Sequence, residues 1–338
     1  MTKSNDQQLL APLKFPTLLY SEITIQINQR KQMLEPLLEQ AGELPSLPEV
    51  YIRVTELLES ENATAEQIGV TLQSDPALTA RILRLINSAY YGLRNDVSSI
   101  PQAVSLLGRD QLQQVLLGSV LSAVFKDFDV SDFPLRDFWQ HCIKTAIIAR
   151  QLAMQNARII DHEAFFTVGL LHDIGWLVIA KVNPGSYLQI INIARAENRN
   201  VLEVEIEKLG TTHIEVGAAL LQQWGIPEII TQCIKNHHDI EHDGSLAVET
   251  SIAYLANQLS RLSFEDNVTE EDEAQVILDI LATIPNWEAS KCTGEQIAIA
   301  CRLADQQWLE VMESLGMRDL EIDDNPEETF LFNTSLEE

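Results

Sequence analysis

The 338 residues carry 50 Asp and Glu against 23 Lys and Arg, a formal net charge of −27. A field of that sign repels phosphate backbones, and no basic cluster offsets it locally, which argues against nucleic acid as a partner. Apolar residues make up 46%, enough for a full core, while sparse Gly and Pro (14 and 12) favour helices; no run of 18 uncharged apolar residues speaks for a membrane span.

In chain order, "MTKSNDQQ" lacks an apolar signal core. The four cysteines, Cys142, Cys233, Cys292 and Cys301, form no CxxC, and Cys142 and Cys233 sit among apolar helix residues. Both features lead to the expectation of a reducing cytoplasm with buried thiols. Residues 1–42 are predicted to form an N-terminal helical arm, with Leu34, Leu37 and Leu38 available for packing.

Residues 43–128 are predicted to form a subdomain of five short helices. Ser46 with Glu49 suggests a capping box with Pro48 in the first turn, followed by Val50, Val54, Leu57 and Leu58 at helical spacing. Thr64 with Gln67 opens a second helix. Asp75 caps a third, with Pro76 at its first position and a stripe of Leu78, Ile82, Leu85 and Ala89 running to Gly92. Ser99 with Gln102 opens a fourth that stops at Gly108, and a fifth covers about 110–125.

The turn-rich "FKDFDVSDFPL" marks a boundary. A second helical subdomain, 129–265, is predicted to follow: helices over 136–156, 161–181, 187–197, Thr212 to Gly225, Pro227 to His237, and 247–262. Residues 266–338 add helices at about 270–283 and 293–315 and then an acidic tail. After Arg318 no Lys or Arg remains, which reads first as a solvated tail; the alternative is a tail that docks on a basic partner, anchored by Phe330, Leu331 and Phe332. No sustained strand alternation is present, so the fold class is all-α.

All seven histidines, His141, His162, His172, His213, His237, His238 and His242, fall within residues 141–242. His172–Asp173 interrupts the apolar run "FFTVGLLHDIGWLVIAKV", where an uncompensated charge would be costly. His141 opens the face of one helix, and His213 lies in the first turn of another, where the positive helix end favours neutral imidazole. His237–His238 close a third. Four helical segments could therefore aim imidazoles at one centre, and such mixed nitrogen and oxygen donors suit Fe, Mn, Co, Ni or Zn better than Ca. A buried His–Asp network that holds helices together without metal is the alternative. His162 and His242 are expected to be ordinary surface or core residues.

The segments "LPSLPEV", "SDPALTARILRLINSAYYG", "SSIPQAVSLLG", "GLLHDIGWLVI" and "LGTTHIEVGAALLQQWGIPEIITQCIKNHH" resemble the HDOD domain, a relative of the HD and HD-GYP metal-dependent phosphohydrolases, over roughly residues 44–262. The resemblance implies an HD-like helical bundle in which His141, His172 and Asp173 hold a metal. It places Asn257 where an Asp ligand stands in the hydrolases, and likens His213, His237 and His238 to the additional ligands of the HD-GYP enzymes. It also implies departures. Asn257 offers only a neutral oxygen. Trp176 stands in place of a lysine that would face substrate phosphate, and Lys144, Lys181 and Lys235 are the nearest basic residues in these motifs.

The expected function is therefore a non-catalytic or residually metal-binding HDOD signalling module that acts through protein–protein interaction. No catalytic residue is assigned, although Asp173 would be one if the site turned over. A metal-dependent phosphohydrolase is the first alternative. A signalling-nucleotide sensor without turnover is the second.

Overall fold

Side chains set where most of the early helices begin, among the residues the computed structural model describes: 47–126, 133–159, 161–239, 244–262, 270–317 and 320. Helix α1 spans Glu49–Glu59 and α2 spans Ala65–Leu72; Thr64 and Gln67 form a reciprocal capping box at the start of α2. Asp75 caps α3, Pro76–Ile86, and Ser99 caps α4, Ile100–Leu107, which stops at Gly108 with φ 87°. Helix α5 follows at Arg109–Lys126. Its Arg109 guanidinium donates to the carbonyls of Leu57, Leu58, Ser60 and Ala63 and so ties down the turn between α1 and α2.

Two expectations here need correction. Helix α1 begins at Glu49 with Pro48 as its N-cap and no side-chain cap bond, and Ser46 lies outside the described residues. Helix α3 ends at Ile86, well before Gly92, so Ala89 is exposed instead of completing the stripe of Leu78, Ile82 and Leu85. The arm 1–42, His242 and the acidic tail 321–338 also fall outside the described residues.

The centre of the molecule is α6, Leu135–Met154, in which every residue from Cys142 to Arg150 is buried. A helix buried on all faces needs neighbours on all faces, and here those neighbours also pair its Lys144 and Arg150. These are α7 (Glu163–Leu171), α13 (Ala247–Leu259) and α15 (Gly294–Ser314). Helices α8 (Ile174–Val182), α9 (Ser186–Ala196), α10 (Val201–Leu209), α11 (His213–Gln223) and α12 (Glu228–Lys235) build the remaining wall, and α14 (Glu270–Leu281) backs α15.

The stretch predicted as one helix over 161–181 is two, α7 and α8, with His172 and Asp173 at the junction instead of mid-helix. Helix α10 was not anticipated from the sequence. The window Glu163–Val182 is long and apolar enough to cross a membrane, but 89% of it is buried inside the fold, as a core segment would be. All four cysteines are free and buried.

A buried joint links the first five helices to α6 and α7. Arg150 lies over the rings of Tyr90 and Tyr91 at 4.7 and 5.0 Å, its Nε donates to Glu163 at 2.5 Å, and the Tyr91 hydroxyl donates to the same carboxylate at 2.9 Å.

Candidate metal centre

The break between α7 and α8 turns Asp173 inward, and two glycines make the turn compact. A Cβ on Gly169 would fall on the backbone of Ala146, and one on Gly175 would fall on the carbonyl of His213. Without side chains at these points α7 closes on α6 and α8 closes on α11. His141, His172, His213 and His237 then surround Asp173, and all five residues are buried.

Each of these four rings is fixed through Nδ1. His172 Nδ1 donates to the Gly169 carbonyl at 2.7 Å and His237 Nδ1 to the Ile234 carbonyl at 2.5 Å. Ser260 Oγ donates its proton to the Asn257 carbonyl, so it accepts from His141 Nδ1, 2.9 Å away. His213 Nδ1 meets Glu205 at 2.7 Å, and the second Glu205 oxygen accepts from the His213 backbone N–H at the same distance. A carbonyl oxygen only accepts, so the ring proton sits on Nδ1 and, in neutral imidazole, the Nε2 lone pair faces inward.

The inward atoms form a set of acceptors. His141 Nε2 and His172 Nε2 approach to 3.1 Å. They lie 3.5 and 3.3 Å from Asp173 Oδ2, and His213 Nε2 and His237 Nε2 lie 3.2 and 3.3 Å from Oδ1. Asp173 Oδ1, His213 Nε2, His237 Nε2 and both amide atoms of Asn257 are buried and lack a hydrogen bond despite this crowding. Proximity without donor geometry is costly unless a cation lies among the acceptors. The residues thus fit a metal. Their donor atoms form two groups, His141–His172–Asp173 and Asp173–His213–His237–His238, each within 4.8 Å internally and sharing Asp173.

Electrostatics agree. Burial pushes His141 and His237 down to about 4, into the neutral ligand form. Burial, reinforced by the neighbouring His237 and His213, holds His238 well below its usual value. Burial alone would raise Asp173, but the surrounding histidines outweigh it and hold the carboxyl well below the usual range. His213 departs from the sequence expectation. Burial acts downward, yet Glu205 and Asp173 overcome it and raise the ring to about 10, so the carboxylates outweigh the helix-end effect. A carboxylate behind a histidine strengthens its hold on either a proton or a metal.

The predicted residues divide clearly. His141, His172, Asp173, His213, His237 and the partly exposed His238 come together. Asn257 is buried on α13, one turn before Ser260. His162 stands at the N-cap of α7, the opposite end of that helix from His172. Trp176 stacks flat on His213, with ring centroids 5.1 Å apart and 14° between planes. Lys181 and Lys235 are exposed, and Lys144 is committed to Asp305 at 2.5 Å and to the Leu262 carbonyl. Three residues were missed: Glu205 on the unanticipated α10, Ser260, and Arg261 just after it. The Arg261 charge acts on Asp173, His141, His238 and Tyr187, so a cation outside the histidine motifs contributes to the electrostatics of the centre.

Comparison with known proteins agrees with this architecture. A chain from Shewanella amazonensis SB2B, named as a candidate phosphohydrolase, is 27% identical with TM-score 0.66, covering 82% of this chain and 97% of that one. A candidate signal transduction protein from Marinobacter aquaeolei VT8 is 26% identical with TM-score 0.61, covering 87% of this chain and 66% of that one. An uncharacterized protein of Treponema pallidum (strain Nichols) is 26% identical over 220 residues, 64% of this chain but only 41% of the relative's length. The HDOD domain matches residues 44–240, which span the first five helices and every ligand candidate except Asn257, and the chain belongs to the HDOD domain family.

Proposed function

We propose that this chain is a metal-loaded regulatory module that works through contacts with signalling proteins and not by turnover. The observation that supports it is the enclosure of the centre: His172, His237 and Asp173 are only 1%, 0% and 6% exposed. Hydrolytic metal sites keep a coordination position open to water or substrate. Here the donors face one another, and Trp176 covers His213. Asn257 adds no charge at the place where the hydrolase resemblance implies a carboxylate. His141, His172, Asp173, His213, His237 and His238 would hold one or two divalent ions of the Fe, Mn, Co, Ni or Zn class. Such an ion would act as a Lewis acid and as a cross-link between α6, the α7–α8 junction, α11 and the turn after α12.

Elemental analysis of protein purified without chelator, run beside a phosphoesterase panel, tests the reading. Stoichiometric metal without hydrolysis is expected, and chelator should lower the melting temperature by removing a ligand of the folded state. Phosphoester turnover that disappears in His172→Ala would overturn it. That outcome is the second reading, a metal-dependent phosphohydrolase, which the cationic Arg261 beside the centre favours.

A further inference from the structure

Helices α6 and α7 run antiparallel, and three contacts pin their register. His141 and His172 meet at one end, Nε2 to Nε2 at 3.1 Å. Between the ends, Gly169 lies directly on the backbone of Ala146, where no side chain intervenes to absorb a shift. Arg150 and Glu163 close the other end at 2.5 Å, and both are buried, at 8% and 1% exposure. Arg150 lies nine residues after His141, and Glu163 lies nine before His172. The ion pair and the metal centre therefore stand the same two and a half turns apart along each helix, about 14 Å.

The ion-pair end of these helices grips the loop after α3. The Tyr91 hydroxyl donates to the second Glu163 oxygen at 2.9 Å, and the Arg150 guanidinium lies over the rings of Tyr90 and Tyr91. Tyr90 also packs on Phe166 of α7, ring centroids 5.2 Å apart, and the Ala89 N–H donates to Glu310 of α15 at 2.8 Å. Residues 87–92 thus take their position from the second half of the molecule. A slide of one residue between α6 and α7 is about 1.5 Å, more than the bonds to Glu163 tolerate, and packed helices shift between discrete arrangements. At the other end, two inward-facing lone pairs 3.1 Å apart are held together by a shared cation. We propose that this joint is a coupling device: metal loading at His141 and His172 sets the α6–α7 register, and Tyr91, as a positioning residue, passes that register to the first five helices. This rests on the metal reading above and names the part of the module that responds to the metal.

The test is titration of the full chain with Co²⁺, followed by its visible absorption, with metal content and folded fraction measured on every sample. Tyr91→Phe removes one hydroxyl from the joint and leaves every metal donor in place. It should weaken Co²⁺ binding about fivefold or more, the low end of a typical coupling between two sites, and shift the absorption bands. Ile68→Val, a buried change on α2 outside the joint, should leave both unchanged. Wild-type affinity or wild-type bands in folded Tyr91→Phe overturn the proposal. An equal loss in folded Ile68→Val overturns it too, by tracing the effect to general loosening. A wild type that holds no metal overturns the metal reading and this coupling with it, and the metal analysis tells that failure from the others. If Tyr91→Phe does not fold, hydrogen exchange of the wild type decides: protection of residues 87–92 should rise more on metal loading than that of Ala65–Leu72, and equal gains refute the coupling.

Discussion

Glu205 grips His213 twice, at the ring Nδ1 and at the backbone N–H, both at 2.7 Å. Supporting carboxylates of this kind orient a ligand ring and raise its basicity, and their loss typically costs ten- to 100-fold in metal affinity. Glu205→Gln keeps the shape and removes the charge, so competition titration against a chromophoric chelator should show a loss of about that size; unchanged affinity would exclude the supporting role. The histidines themselves were legible because seven of them crowd into one stretch of an otherwise apolar sequence. Glu205 was not, because it is one of three Glu in "VLEVEIEKL" and looks like another solvent-facing acid. Only the left-handed Gly210, with φ 71°, folds α10 back so that this Glu reaches a histidine eight residues on. Arg261 was hidden for a similar reason, since nothing in "LANQLSRL" marks the turn that carries it to α6.

At the scale of elements, capping boxes and stop signals located α2, α4 and α11 well, because caps are local chemistry. The break at His172–Asp173 was missed, since hydrophobic periodicity runs straight through it. What fixes the break is tertiary: Gly169 against Ala146 and Gly175 against His213. Gly169→Ala should push α7 off α6, separating His141 from His172. A loss of about 1–3 kcal/mol or more in chemical denaturation is expected, together with reduced metal retention. Gly118→Ala on α5 serves as the control, because its Cβ would meet only side-chain atoms at ordinary contact distance, 3.4 Å or more. Equal stability of the two variants would show that the close approach has slack.

For the whole molecule, the buried histidines give a pH dependence of definite sign. In chelated protein His141 and His237 titrate at about 4 when folded, against an unperturbed value of about 6.5 when unfolded. The unfolded chain binds more protons across that window, so stability falls as pH drops from about 6.5 to 4. His213, raised to about 10, stays protonated when folded, so it opposes the trend only near pH 6.5, where its unfolded form still takes up its proton, and by less than His141 and His237 together contribute. Melting temperatures of chelated protein should therefore decline steadily between pH 6.5 and 4; a flat profile would mean that these rings are not buried neutral.

The central position of α6 also bears on how the chain is made. Its apolar faces are covered in part by α15, and 140 residues separate Met154 from Gly294. At translation rates of about 5–20 residues per second, that separation corresponds to roughly 7–28 s before the covering helix leaves the ribosome. During that interval α6 lacks the cover that α15 gives it in the finished fold, so its packing is completed only late in synthesis.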